Sequence, residues 1–282
     1  GLMRILQINN TDFEGTIYNG HDLQMSLNDN GIRADEIVLY KRLDDMHTIS
    51  YVSEKQLNWQ HEYNLFEKKS SMLNMIEPFG SRIKSMENFL KADIVHYQLI
   101  HNHVLTLTEF SRMCQIKPSV WTIHDLWAVT GHCIHPLNCE KWKSECIGCE
   151  HLEDPFFELR YPKAHELWKV KEKLFKAINP DIIVASDFTY KYVKESPLTN
   201  HFTNVHKIPF GIKQDDRNDM YADMVRKRWE IPSENVVISF RLNNSKLKGV
   251  KYLIKALEKM KSKNVTVLAV DRGDNTILDP IR

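Results

Sequence analysis

The sequence predicts an α/β fold built on a mostly parallel sheet. Three observations carry this. Short apolar runs of strand length recur along the chain: Met3–Asn10 (MRILQINN), Glu36–Tyr40 (EIVLY), Asp93–Ile100 (DIVHYQLI), Ser119–Ile123 (SVWTI) and Asp181–Ala185 (DIIVA). Stretches with helical periodicity lie between strands, which implies βαβ crossovers and therefore parallel neighbours. The 282 residues are 42% hydrophobic and 27% charged, the make-up of a soluble globular protein of about two domains.

In order, the first strand runs into a loop holding Gly15 and Gly20, then a helix carrying Leu23 and Leu27 that stops at Gly31. Asp44–Pro78 is polar, lacks a clean period and stays unassigned. Between the strands at 119–123 and 181–185, an amphipathic helix places Leu167, Val170, Leu174, Phe175 and Ile178 on one face. Its segment Lys163–Lys176 holds five lysines and two glutamates, read as lying mostly off that face. Such a face is either simply solvated or touches an anionic membrane surface. A boundary near Pro209-Phe210-Gly211 divides 1–211 from 212–282. A polar linker, Lys213–Asn218, and a helix around Met220–Trp229 follow. Val236–Phe240 (VVISF) then opens a new βαβ unit, with Val250, Leu253, Ile254 and Leu257 at helical spacing and a strand at Asn264–Val270. The expectation is one complete Rossmann-like domain followed by the start of a second. The second piece is short enough to lean on the first domain or on a partner.

A net charge of +1 argues against a dedicated nucleic-acid binder. No apolar run has the length of a membrane span. The chain enters a strand almost at once, so no signal peptide is expected, and a cytoplasmic location follows. Disulfides are then not expected either.

The richest stretch is Thr122–Cys149, TIHDLWAVTGHCIHPLNCEKWKSECIGC. His124 and Asp125 stand at a strand's C-terminal end, outside which parallel α/β sheets bind ligands. His124 reads as a ligand-binding group or as a satisfied buried histidine, and Asp125 as its orienter or as a turn cap. Gly15 and Gly20 either let the first loop approach a ligand closely or serve as turn glycines. Cys133, Cys139, Cys146 and Cys149 suit a closed, structural zinc site, with His132 or His135 able to replace one thiolate. Equally, they are reduced thiols packed near Trp127 and Trp142, or a disulfide pair formed on purification. Cys114 reads as a core residue on a helix. In the second unit, Arg241 at a strand end and Lys248-Gly249 opening the next helix form an anion site or a solvated surface.

Taken together, His96, His124-Asp125, Thr130-Gly131-His132-Cys133, Gly148-Cys149, Ile208-Pro209-Phe210-Gly211-Ile212, Arg241 and Lys248-Gly249 resemble the retaining GT-B glycosyltransferases of family 4. The likeness is to members that build bacterial exopolysaccharide and colanic acid. It covers nearly the whole chain and is strongest over 119–149 and 236–257. It implies a nucleotide-sugar donor, a glycan or lipid-linked acceptor and no catalytic cofactor; a lipid-linked acceptor is where the lysine-rich helix Lys163–Lys176, if not simply solvated, would meet the inner membrane surface. His124 and Asp125 take the catalytic place, Arg241, Lys248 and Gly249 the donor-phosphate place, and Gly15 and Gly20 the acceptor-side loop. Two departures stand out. The first loop has fewer glycines than the family's. The family's paired glutamates, with seven residues between them, would lie beyond Glu258, the last glutamate of this chain, so the sequence reads as a fragment. The rival expectation is a catalytically inactive acceptor-binding or interaction module.

Overall fold

The computed structural model describes residues 1–154, 156–212, 219–243, 245–270 and 274–281. The chain divides into two compact units, Gly1–Ile212 and Lys213–Arg282. The expected linker Lys213–Asn218 lies outside the described residues.

In the first unit the strands are β1 (Arg4–Thr11), β2 (Arg33–Tyr40), β3 (Thr48–Ser50), β4 (Ile94–Tyr97), β5 (Ser119–Thr122), β6 (Asp181–Val184) and β7 (Val205–Lys207). The helices are α1 (Thr16–Asn19), α2 (His21–Asp29), α3 (Glu54–Ser70), α4 (Glu87–Lys91), α5 (Leu107–Ile116), α6 (Ala164–Phe175) and α7 (Asp187–Glu195). Among the described residues the strands form one sheet in the order β3-β2-β1-β4-β5-β6-β7. Every neighbouring pair in it is parallel. The fold class is therefore the expected α/β one, and β1 is the strand from which the order runs both ways.

Helices on the sheet faces explain why the strands read as continuous apolar runs. On one face Leu6, Ile8, Val95, Tyr97 and Trp121 are buried. Trp121 meets Phe110 of α5 at 4.7 Å and Phe175 of α6 at 5.5 Å, ring centre to ring centre. The other face of β1 carries polar residues instead. Glu36, Gln7 and His96 face one another across β2, β1 and β4 in register. Glu36 and Gln7 have no exposed surface and His96 has 7%. This buried polar row runs beneath the site described below.

The segment that lacked a period contains β3 and the 17-residue helix α3. A capping box starts α3: Ser53 accepts from the Gln56 amide and Gln56 reaches back to the Ser53 amide. Its buried positions are Gln60, Asn64 and Glu67. With polar residues on the inner face, the helix carries no apolar stripe to read. The fourth strand also ends earlier than its apolar run, at Tyr97, and releases Gln98 from the sheet.

In the second unit α8 (Asp219–Arg228) precedes β8 (Val236–Arg241), α9 (Ser245–Lys248), α10 (Val250–Lys259) and β9 (Val265–Val270). β8 and β9 pair in parallel, with Val250 and Ile254 of α10 buried. No described helix is long and apolar enough to cross a membrane.

Candidate functional site

A parallel sheet binds ligands outside its strands' C-terminal ends, at the point where strand order reverses. Here that point lies at β1 and β4, and the polar side chains gather around it. Gln7 Nε2 donates to the Gly20 carbonyl at 2.9 Å. Gln98 Nε2 donates to Gln7 Oε1 at 2.8 Å, and Gln98 Oε1 lies 2.7 Å from His124 Nε2. His96 Nε2 lies 2.7 Å from the Thr122 hydroxyl. Asn9 bonds the carbonyls of Thr11 and Asn19, and Asn19 bonds those of Thr11 and Glu14, so the first loop is laced to the end of β1.

The structure places His124 half-buried just past β5, stacked on Phe210 at 5.4 Å and 11° between rings. Tyr18 of the first loop meets the same Phe210 edge-on at 5.3 Å. Phe210, read from the sequence only as part of a boundary, thus joins the loop to His124. Asp125, from the sequence an orienter of His124 or a turn cap, here caps the turn that follows. Its Oδ2 lies 2.8 Å from His101 Nε2 and its Oδ1 accepts from the Trp127 amide at 2.9 Å. With both oxygens engaged, Asp125 braces the short 3-10 turn Leu126–Val129. His101 in turn stacks on Trp127 at 4.7 Å.

Gly20 and Gly15 separate cleanly. Both have positive φ, +100° and +65°. A Cβ at Gly20 would collide with Gln7 Oε1 and stand 2.8 Å from Gln98 Nε2, whereas one at Gly15 would meet nothing within 4 Å. Gly20 is a close-approach glycine and Gly15 a turn glycine.

One expectation about α6 is corrected. Lys171 is not on a solvated face: it is 1% exposed. Its Nζ donates to the Trp127 and Thr130 carbonyls at 2.6 and 3.0 Å and lies 3.7 Å from the Trp127 ring centre. Burial pushes its ammonium down to about 7, while Cys133, Cys146 and Asp125 pull it back up. Lys171 therefore clamps from behind the turn that Asp125 braces in front.

The cysteine loop reads from the sequence either as a zinc site or as packed thiols, and its side chains lie as follows. Among the described residues no group of three or more His, Cys, Asp or Glu is arranged to hold a metal ion. Cys133, Cys139, Cys146 and Cys149 are free thiols, and so is Cys114. Burial pushes Cys133 up to about 12 and Cys146 to about 11, so both are protonated near neutrality. His132 Nδ1 faces the Phe157 carbonyl at 2.6 Å and must donate there. Its Nε2 is left to accept from Cys149, with the sulfur 3.6 Å away. His135 stacks on Phe188 instead of joining the thiols. In this geometry the thiols and histidines of the loop are engaged by packing and single hydrogen bonds.

In the second unit Arg241 ends β8 and is exposed. Lys248 is the last residue of α9, not the first of a helix, and Gly249 N-caps the ten-residue α10 with φ 71°. The free amides of that helix start lie directly after Lys248.

Burial pushes His96, His103 and His124 down to about 4. The unfolded chain would take up these protons near 6.5, the folded chain not until about 4, so stability should fall as pH drops through that window. His96 alone corresponds to roughly 3 kcal/mol. That is the share of the histidines alone: His21, raised by its bond to Glu36, opposes it, and so do Glu77, which burial raises to about 7, and Glu36 and Glu67, which burial also raises. The histidine share is read by comparison: between pH 7.5 and pH 5 the urea midpoint of the wild type should fall relative to that of His103→Asn, which lacks one of the lowered imidazoles. An unchanged difference between the two proteins at the two pH values would mean that His103 titrates as if exposed.

No family model matches the chain. Over 114 residues it is 32% identical to a protein of Escherichia coli (strain K12) provisionally named colanic acid biosynthesis glycosyl transferase WcaC. That match takes in 35% of this chain and 28% of the relative, so the chain spans little more than a quarter of the curated protein it matches. Among solved structures, a protein of Listeria monocytogenes provisionally named UDP-N-acetylglucosamine 2-epimerase is 10% identical, with TM-score 0.42. The superposition covers 99% of this chain and 65% of that one. An alpha-glucosyltransferase solved with UDP and a 13-mer DNA is 12% identical, also with TM-score 0.42, over 98% of this chain and 69% of its own. What is established is an α/β chain with partial sequence similarity to a glycosyl transferase.

Proposed function

We propose that this chain serves glycosyl transfer, moving a sugar from a nucleotide-sugar donor to a polysaccharide or lipid-linked glycan with retention at the anomeric carbon. The reading is of the GT-B, family 4 kind, at the cytoplasmic membrane surface. The first unit would serve the acceptor side and the second would carry part of the donor site. The observation that carries it is His124, half-buried at the strand-order reversal, held by Gln98 and facing the first loop through Phe210. The partial similarity to WcaC supports the same chemistry.

Transfer requires that the leaving diphosphate be neutralised while the sugar gains oxocarbenium character. Arg241 would fork onto phosphate oxygens, with Lys248 and the amides opening α10 beside it. His124, neutral near pH 7, would hydrogen-bond the sugar without adding a positive charge next to a developing cation. Asp125, in this reading, acts through the turn it braces.

Calorimetric titration of the whole chain with a panel of nucleoside diphosphates tests this. One of them should bind, and Arg241→Ala and Lys248→Ala should each weaken it by roughly 1–3 kcal/mol, the loss of a charge-assisted bond. No binding by any member, or unchanged affinity in both variants, would remove the donor site from these residues. Glycan binding without nucleotide binding would favour the inactive module.

A further inference from the structure

The polar row beneath the site has a direction, and it starts at an atom with no choice. The Gly20 carbonyl can only accept, so Gln7 must turn its NH2 toward it, at 2.9 Å. Gln7 Oε1 then faces Gln98, which must present its own NH2, at 2.8 Å. That leaves Gln98 Oε1 against His124 Nε2 at 2.7 Å. An amide oxygen only accepts, so His124 Nε2 must carry the proton. The second hydrogen of the Gln98 amide points at His96 Nε2, 3.2 Å away. His96 Nε2 is thereby an acceptor, its one lone pair shared between that N–H and the Thr122 hydroxyl 2.7 Å away. Gln7 is 0% and Gln98 3% exposed, so water does not scramble the order. Any flip of one amide would set two donors or two acceptors face to face.

We propose that Gln98, oriented by Gln7, is a positioning residue that fixes His124 as the Nε2–H tautomer with its Nδ1 lone pair offered to ligand. Among the described residues nothing hydrogen-bonds that Nδ1. A ligand group meeting it must bring its own proton: a hydroxyl or an N–H is accepted, a bare carbonyl or carboxylate oxygen is repelled. This rests on the reading of His124 as the ligand-facing residue, and it gives that reading a polarity. The site selects a hydroxylated ligand at this position through two glutamines that do not touch it.

Nitrogen NMR of the imidazoles in the whole, uniformly 15N-labelled chain at pH 7 tests it without any ligand. In the wild type, His124 should show a protonated-type Nε2 and a lone-pair-type Nδ1, and His96 the reverse. Gln98→Leu and Gln7→Leu should each bring the second His124 tautomer into view, Gln7→Leu doing so without altering any direct contact of His124. Gln98→Glu has the same shape and offers only acceptors. It should leave His124 Nε2 protonated while the His96 resonances move, and it keeps the test open if a leucine variant does not fold. A lone-pair-type Nε2 on wild-type His124, or an unchanged His124 pattern in both leucine variants, would overturn the proposal. Nucleoside diphosphate titration of the same sample separates the two readings. If the tautomer is as stated and no nucleotide binds, the relay stands and glycosyl transfer falls.

Discussion

Replacing Lys171 by alanine is expected to cost about 3–5 kcal/mol, among the largest single losses in the first unit. The ammonium is 1% exposed and bonds the carbonyls of Trp127 and Thr130. Trp127 is 3% and Thr130 0% exposed, so neither carbonyl can turn to water when the lysine is gone. The Thr130 carbonyl is left unpaired at roughly 1–3 kcal/mol, the Trp127 carbonyl keeps only the long 3.4 Å bond from the Thr130 amide, and the missing four-carbon stem adds a cavity. Lys171→Met keeps most of the stem and should recover part of the loss, which separates cavity from hydrogen bonding. Urea denaturation monitored by tryptophan fluorescence reads both variants, because Trp127 lies under the ammonium. A loss below about 1 kcal/mol for the alanine variant would mean that the turn Leu126–Val129 holds without its clamp.

The second large effect is expected at Gly20→Ala. The new methyl would press on Gln7 Oε1 and Gln98 Nε2, two amide groups already bonded to each other. A φ of +100° adds backbone strain. Together these should cost roughly 2–4 kcal/mol. Gly15→Ala, with a φ of +65° and open space, should cost only the roughly 1–2 kcal/mol of a left-handed alanine. Thermal denaturation of the two variants gives the comparison. The imidazole resonances of His124 should move in Gly20→Ala and stay in Gly15→Ala. Equal losses with an unmoved His124 would show that the loop yields and that the close approach is not needed.

Parts of this molecule were plain in the sequence for simple reasons. Strands buried on both faces must be apolar, so Met3–Asn10, Glu36–Tyr40 and Ser119–Ile123 announce β1, β2 and β5. A helix covering such a sheet needs an apolar stripe, so the run from Leu167 to Phe175 announces α6. Parallel sheets bind ligands outside the C-terminal ends of their strands, so the sequence already puts His124 at a candidate position.

Pattern failed where burial was polar. Helix α3 hides Gln60, Asn64 and Glu67, which cluster analysis of apolar residues cannot see, although its Ser53–Gln56 capping box was there to be read. Gln7 and Gln98 stood inside apolar runs, and a polar residue there must be paired if buried. That was a readable signal without a readable partner. Glu36, Gln7 and His96 come from strands far apart in the chain, and only strand register sets them side by side.

What the sequence determined by itself was the class of fold, the order of most elements and the position of His124, since all three follow from local periodicity and chain direction. What only the tertiary structure decided was the use of each polar group. Lys171 reads as solvent-facing until α6 lies against the Trp127 turn. Asp125 reads equally as an orienter of His124 or a turn cap until its carboxylate is seen between His101 and the Trp127 amide. A donor or acceptor acquires its role from the atom opposite it, and that atom sits 24 residues away for Asp125 and 44 and 41 for Lys171.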